Sequence, residues 1–219
     1  MRAISDLEFT RSVELFKANR TLDARYASFD FCFNYFQQAR AKNELDHLLD
    51  VDRQETTCLQ LAFYLASWGM LRGKADLLQH SAHKLLGVVE FLIGQDKEVW
   101  EIDANTLKDD YQVIRDLSRG IRRSFGTGVS VTDTLSTKII LGVMGSVPAF
   151  DRYFRKGFGC STFGPKSLRG IGSFYEEHAE AIDSIDIPTL DFTTGEETDI
   201  RYTRSKLIDM AFFTLGVEA

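Results

Sequence analysis

The amino-acid sequence predicts an all-α fold of about nine helices, with a short β-hairpin possible near residues 190–202. Apolar residues recur at three- and four-residue spacing along most of the chain, as they do on one face of a helix. The only three prolines lie beyond the midpoint, so nothing in the first 145 residues forces a helix to break. A pattern typical of strands occurs only between residues 186 and 203. We predict one globular domain over 1–219, with possible sub-lobes 1–104 and 105–219.

The first part of the chain predicts four helices. Asp23 is expected to cap the second helix and Asp76 the fourth, because an Asp side chain accepts hydrogen bonds from the first amides of a helix. The third helix is apolar on nearly all sides, which predicts a buried central helix. The predicted ranges are 5–20, 23–41, 53–71 and 76–93.

The rest of the chain predicts five further helices. Glycines 126 and 128 are expected to end the first of them, and Thr132 or Asp133 to cap the next, which ends near Gly145. A shorter helix is predicted to begin at Asp151. The first of the five helices is predicted at 105–125, and the last two are predicted at 166–184 and 202–217.

Composition restricts the class of protein. Hydrophobic residues make up 44% and charged residues 26%, as in ordinary globular proteins. No apolar run reaches the ~18–20 residues of a membrane span, and no signal segment is evident, so we expect a cytoplasmic protein without membrane contact. The three cysteines, Cys32, Cys58 and Cys160, are too widely spaced to predict a disulfide framework or a zinc site.

The distribution of charge is the main functional signal. The whole chain is −6, yet residues 115–170 contain only three acids, Asp116, Asp133 and Asp151, and are +7, which leaves −13 on the other residues. A local positive field of this kind attracts phosphate groups, although acids from elsewhere in the chain are numerous enough to pair with these cations. The ten basic residues of this basic window are Arg115, Arg119, Arg122, Arg123, Lys138, Arg152, Arg155, Lys156, Lys166 and Arg169.

Asp151 is the candidate catalytic residue. It lies in the segment Pro148-Ala-Phe-Asp-Arg-Tyr-Phe-Arg-Lys156, between an apolar stretch and a group of cations. A carboxylate there can accept amide hydrogen bonds and complement the dipole of the following helix. The sequence therefore leaves two roles open for Asp151: a helix cap or a functional anion.

The order of elements around Asp151 resembles that of the helix-hairpin-helix DNA glycosylases. In that family a hairpin leads into an apolar helix, and a short loop then delivers an aspartate to the start of the next helix, the order that 139–151 and Arg152-Tyr-Phe-Arg155 follow. The resemblance implies that Asp151 stabilises the cationic sugar formed as a glycosidic bond breaks, while flanking cations hold the DNA backbone.

The chain departs from the family pattern at two places. The family hairpin reads like Leu-Pro-Gly-Val-Gly, whereas Ser130-Val-Thr-Asp133 stands at the corresponding distance from Asp151. Members that also cleave the DNA backbone carry a lysine just after the hairpin, where this chain has Thr134, and Lys138 lies one helical turn later. The resemblance therefore implies a monofunctional glycosylase or an inactive relative.

Other residues have a structural interpretation beside the functional one. Trp68 can stack on a base with Arg72 on a phosphate, but an aromatic at helical spacing is more often part of a core. His80 and His83 share one helical face, but no third ligand stands at a suitable spacing. We predict no metal and no cofactor.

Three functions remain open. The chain is a DNA glycosylase acting through Asp151, a helical nucleic-acid-binding protein in which Asp151 only caps a helix, or an interaction protein whose basic surface binds an acidic partner. The first two functions predict DNA or RNA as partner, and the oligomeric state is left open. The candidate nucleic-acid-binding residues are Arg119, Arg122, Arg123, Lys138, Arg152, Arg155, Lys156, Trp68 and Arg72.

Overall fold

The computed structural model describes residues 2–219, which form ten α-helices and one two-stranded antiparallel sheet. The all-α class and the hairpin near residue 190 are thereby confirmed. The helices are α1 (Asp6–Ala18), α2 (Ser28–Ala41), α3 (Gln54–Ser67), α4 (Leu86–Ile93), α5 (Lys97–Trp100), α6 (Leu107–Ser124), α7 (Asp133–Met144), α8 (Arg152–Phe158), α9 (Pro165–Asp183) and α10 (Arg204–Glu218). The strands are β1 (Pro188–Leu190) and β2 (Glu197–Arg201), and short 3-10 turns join several of the helices.

The predicted ends of α7 and α8 agree with the structure. Thr132 is the N-cap of α7, and its side chain accepts a hydrogen bond from the amide of Leu135 at 3.1 Å. Gly145 follows the last residue of α7 in the left-handed conformation, with φ of 72°, where glycine carries little steric cost. Asp151 is the N-cap of α8. These local signals place the two helices without any information about packing.

Two predictions about the first half are wrong. Residues 76–93 do not form one helix, because two 3-10 turns, Asp76–Gln79 and Ala82–Leu85, precede α4 and His80 is extended with ψ of 151°. Asp23 does not cap α2, which begins at Ser28 after a 3-10 turn that has no side-chain cap. In both places tertiary packing selects short turns over the helix that periodicity favours.

The prediction that α3 is buried on all sides is also wrong. One face of α3 packs into the core through Leu61, Tyr64 and Leu65. On the opposite face, Leu59 is 50% exposed and Phe63 is 63% exposed. Periodicity cannot distinguish an apolar face that packs in the core from one that remains on the surface.

The core centres on α7, in which every residue from Leu135 to Met144 is buried. α7 packs against α2, α3 and α6, so one buried cluster combines residues of 2–104 with residues of 105–219. α8 and α10 approach each other unusually closely, because a side chain at Gly157 would collide with the backbone oxygen of Phe212. This packing sets the start of α8, and with it Asp151, between α7 and α10.

Candidate functional site

Both carboxylate oxygens of Asp151 have hydrogen-bond donors. Oδ1 accepts the amides of Tyr153 at 2.9 Å and Phe154 at 3.0 Å, as expected of an N-cap aspartate. Oδ2 accepts a hydrogen bond from the Lys138 ammonium at 3.0 Å. The Lys138 side chain is 4% exposed and that of Asp151 is 14% exposed, so the pair is largely removed from water. Asp151 is therefore a helix cap and also one half of a buried ion pair.

The loop that precedes Asp151 lies along the first two turns of α7. The Thr134 hydroxyl donates to the carbonyl of Phe150 at 3.0 Å, and the Phe150 amide donates to the Thr137 hydroxyl at 2.9 Å. One turn further along α7, Lys138 meets Asp151. Thr134, which stands where the resembled family can carry a lysine, thus holds the backbone next to Asp151.

Side chains of α10 and of its N-cap hold the same loop from the other side. The amide of Ala149 donates to Asp209 Oδ1 at 3.0 Å, and the Ser205 hydroxyl donates to the carbonyl of Ser146 at 2.9 Å. Thr203, the N-cap of α10, donates to the carbonyl of Gly145 at 2.7 Å. These bonds and those from α7 fix the loop on two sides, which fixes the position of Asp151.

A second buried ion pair lies beside the first. The ammonium of Lys206 donates to Asp209 Oδ2 at 3.2 Å, with side-chain exposures of 2% and 9%. Lys206 Nζ also lies over the rings of Phe16, at 4.6 Å, and Phe29, at 4.4 Å. Burial lowers the pKa of Lys206, opposed by the charge of Asp209, and burial raises the pKa of Asp209, opposed by Lys206. Sequence reasoning overlooked both residues.

The two ion pairs surround a very small cavity. Its volume is about 10 Å³, room for roughly one water molecule and far less than a nucleobase requires. Trp68 closes one side, its ring 5.1 Å from Lys138 Nζ, and its indole N–H is buried without a hydrogen-bond partner among the described residues. The remaining walls are Tyr64, Leu141, Ala149 and Phe213. In this conformation the surroundings of Asp151 are enclosed.

The structure places Trp68 and Arg72 in different environments. Trp68 packs against Phe16, with ring centroids 6.3 Å apart and nearly parallel planes, and edge-on against Tyr26 and Phe213. Arg72 lies beyond the end of α3 on the surface, beside the glycine at position 69. The Trp68 ring therefore faces the enclosed cavity and the aromatic core, while Arg72 faces solvent.

Each of the three acids of the basic window forms a salt bridge with a cation of the same window. Asp116 pairs with Arg119, Asp133 with Arg122 and Asp151 with Lys138. The seven other cations form no salt bridge with any acid in residues 2–219, although the rest of the chain is strongly acidic. These seven, called the free cations below, are Arg115, Arg123, Arg152, Arg155, Lys156, Lys166 and Arg169.

The start of α9 contacts α6, and the loop before α9 contacts α8. The Arg169 guanidinium lies over the ring of Tyr111 on α6, 4.2 Å from its centre. On the other side, Arg155 of α8 donates to the carbonyl of Ser161 at 3.2 Å, and Ser167 donates to the carbonyl of Thr162 at 2.7 Å. Arg169 therefore lies beside the N-terminal part of α6, and Arg155 lies beside the α8–α9 loop. The N-cap of α9 is Gly164, which offers no side chain to the first amides.

The loop between α6 and α7, residues 125–132, is attached to the 76–85 segment. The Ser130 amide donates to Asp76 Oδ2 at 2.8 Å, and Lys84 Nζ donates to the carbonyl of Thr127 at 2.9 Å. A ring nitrogen of His80 lies 3.1 Å from the carbonyl of Gly128. Ser130 therefore uses its amide inside the protein. His80 and Lys84 were not foreseen in this role, because the periodicity placed them on a continuous helix.

Comparison with known proteins adds no identity to this geometry. None of the family models, curated proteins and solved structures compared with the chain matches it. No helix between residues 2 and 219 is both long and apolar enough to cross a bilayer. Two charged regions of the molecule bear on its function: the enclosed site around Asp151 and the surface of free cations.

Proposed function

We propose that this protein binds nucleic acid through the phosphate backbone, using the free cations of α6, α8 and the start of α9. The observation that carries the proposal is that seven cations of one window have no acidic partner in residues 2–219. An arginine or lysine without an acidic partner gives up no salt bridge when it contacts a phosphate. The contact releases a counterion from the nucleic acid, which favours binding. The uncapped N-terminus of α9 adds partial positive charge beside these side chains.

The enclosed site favours binding over catalysis in this conformation. Asp151 already accepts three hydrogen bonds, and the adjacent cavity of about 10 Å³ does not admit a base. Lys138 and Trp68 surround that cavity, so they are not part of the proposed phosphate-binding surface. Contacts with phosphate groups carry no sequence information, so we expect weak dependence on sequence.

Binding to short single- and double-stranded DNA across a salt series tests the proposal. We expect log Kobs to fall linearly with log salt concentration, because each phosphate contact contributes about 0.9 to the slope on a duplex. Arg152→Ala/Lys156→Ala should lower both the affinity and the magnitude of the salt slope. The control Lys42→Ala/Lys97→Ala removes two exposed cations outside the window and should change the affinity and the slope less. Absence of binding at low salt would leave the basic surface for an acidic protein partner.

A second candidate function is base excision by Asp151. One observation favours it: Asp151 begins α8 directly after a loop that leaves the apolar α7, in the order found in helix-hairpin-helix DNA glycosylases. In this case Trp68 or Phe213 has to move so that a flipped base can reach the carboxylate. Asp151 then stabilises the positive charge that develops on the sugar.

Single-turnover excision on duplexes containing damaged bases tests this second function. Wild-type protein should release free base, Asp151→Asn should release none, and both should bind the same duplex with equal affinity, since Asn also caps helices well. A set of duplexes with deaminated, oxidised and alkylated bases covers the main substrate classes. If wild-type protein binds these duplexes but excises nothing, base excision is excluded for them and the binding function stands.

A further inference from the structure

The exposed face of α3 is the second unusual surface of the molecule, and it is independent of the proposed nucleic-acid binding. Leu59 is 50% exposed and Phe63 is 63% exposed, although both are large apolar side chains. Ala66 continues the same face at the following turn, since residues three and four apart lie one above the other on a helix. A groove of about 510 Å³ runs beside Leu59, between α3 and the turn at 81–86.

The charges around this face are distributed asymmetrically along the helix. Asp52 and Glu55 lie at its N-terminal end together with the exposed Asp50 and one exposed cation, Arg53, and Arg72 and Lys74 lie just beyond its C-terminal end. All six are exposed, and none forms a salt bridge within the part of the chain that the structure describes. The face is therefore acidic at one end, apolar in the middle and basic at the other end.

This arrangement is complementary to a copy of itself placed in the opposite direction. Glu55 lies in the first turn of α3 and Asp52 just before it, while the Arg72 side chain lies beside Gly69, two residues beyond the end of α3. When two α3 helices pack antiparallel with Phe63 facing Phe63, each acidic end meets a basic end. We infer that α3 is the interface of an antiparallel homodimer, with its two-fold axis close to Phe63.

The charge and the apolar content of α3 favour a second copy over an unrelated partner. A two-fold interface uses the same patch on both subunits, so the patch must be self-complementary in charge and in apolar content, and α3 meets both conditions. An aromatic ring on the axis packs against its own copy, which removes the exposed apolar surface of both subunits from water. A contact of one helix and its flanking groove lies at the small end of stable interfaces, so the dimer should be of micromolar affinity.

Sedimentation velocity from about 1 to 200 µM, a range that brackets micromolar association, tests the interface. Wild-type protein should shift from monomer to dimer as concentration rises, and Phe63→Asp should remain monomeric. Phe192→Asp is the matched control, because Phe192 is a 71% exposed aromatic on a different surface and its replacement should leave the dimer intact. The inference is overturned if wild-type protein stays monomeric at the highest concentration. It is also overturned if the Phe63→Asp variant dimerises as well as wild type does.

Charge reversal tests the antiparallel direction. Glu55→Lys and Arg72→Glu should each weaken the dimer at least tenfold, because each places like charges together at both ends of the interface. An equimolar mixture of the two variants should restore association, since opposite charges then meet at both ends. If the single reversals leave the association constant unchanged, the helices do not pack antiparallel about Phe63 and the inference fails. The salt dependence of nucleic-acid binding is set by the free cations and not by α3, so the binding proposal and the dimer proposal can fail separately.

Discussion

The enclosed site around Asp151 and the surface of free cations show two opposite uses of charge in one molecule. In the enclosed site every charge has a partner: Lys138 pairs with Asp151, and Lys206 pairs with Asp209. On the surface, seven cations have no acidic partner in residues 2–219. Buried charges have to be paired because desolvation is costly, whereas exposed cations without partners remain available to a ligand. The difference separates residues that hold the fold from residues that can bind.

Lys206→Met is the substitution that should disturb the enclosed site most. It keeps the length of the side chain but leaves Asp209 buried without its cation, which costs about 3–5 kcal/mol of the free energy of unfolding. Urea denaturation followed by circular dichroism measures this loss. Lys206→Met/Asp209→Leu should recover part of it, because no uncompensated charge remains. A loss no larger for Lys206→Met than for the exposed Lys156→Met would show that the buried pair does not stabilise the fold.

Two substitutions separate the role of Asp151 in the ion pair with Lys138 from its role as the cap of α8. Asp151→Asn keeps the helix cap but removes the partner of Lys138, and we expect a loss of about 2 kcal/mol, less than for Lys206 because Asp151 is slightly exposed. Asp151→Ala should cost about 1 kcal/mol more, because the amides of Tyr153 and Phe154 also lose their acceptor. Equal stabilities of the two variants in urea denaturation would mean that the cap contributes nothing.

Local signals in the sequence were sufficient for the elements around Asp151. Thr132, Gly145 and Asp151 mark the ends of α7 and the start of α8 through their own side chains or backbone conformation, so no tertiary information was needed. The broken 76–93 segment could not be predicted in the same way. Its turns are held by contacts from His80 and Lys84 to the α6–α7 loop at 127–128, which is remote in sequence.

The enclosed site was only half predictable. Asp151 and Lys138 are predictable as candidates because both belong to the basic window. Lys206 and Asp209 lie 55 or more positions further along the chain, and the sequence shows them only as two polar residues on an apolar helix. One signal is present: Lys206 and Asp209 stand three residues apart, the lysine directly before and the aspartate inside the mostly apolar run Leu207 to Leu215. Their partnership with the Asp151 loop exists only because α10 packs against α8.

Removing several free cations should affect binding without affecting stability. The variant Arg123→Ala/Arg152→Ala/Lys156→Ala/Lys166→Ala deletes four charges that have no salt bridge within 2–219, so its unfolding free energy should stay within about 0.5 kcal/mol of wild type. The slope of log Kobs against log salt concentration for duplex DNA should fall in magnitude by about 3 to 4. Fluorescence anisotropy measures the slope. An unchanged slope would exclude these cations from the binding surface.

The smallest expected effect is a gain, obtained by freeing a cation that the protein already pairs. Asp116→Asn removes the carboxylate that binds Arg119, one turn before the free cation Arg123 on α6. Arg119 then joins the free cations, and the affinity for duplex DNA at low salt should rise a few-fold, with a slope steeper by up to about 0.9. Asp109→Asn is the matched control, because it removes one negative charge from the same helix without releasing a cation. Equal gains from the two variants would show that net charge alone governs binding. A larger gain for Asp116→Asn would mean that the pairing of each cation decides whether it can reach a phosphate.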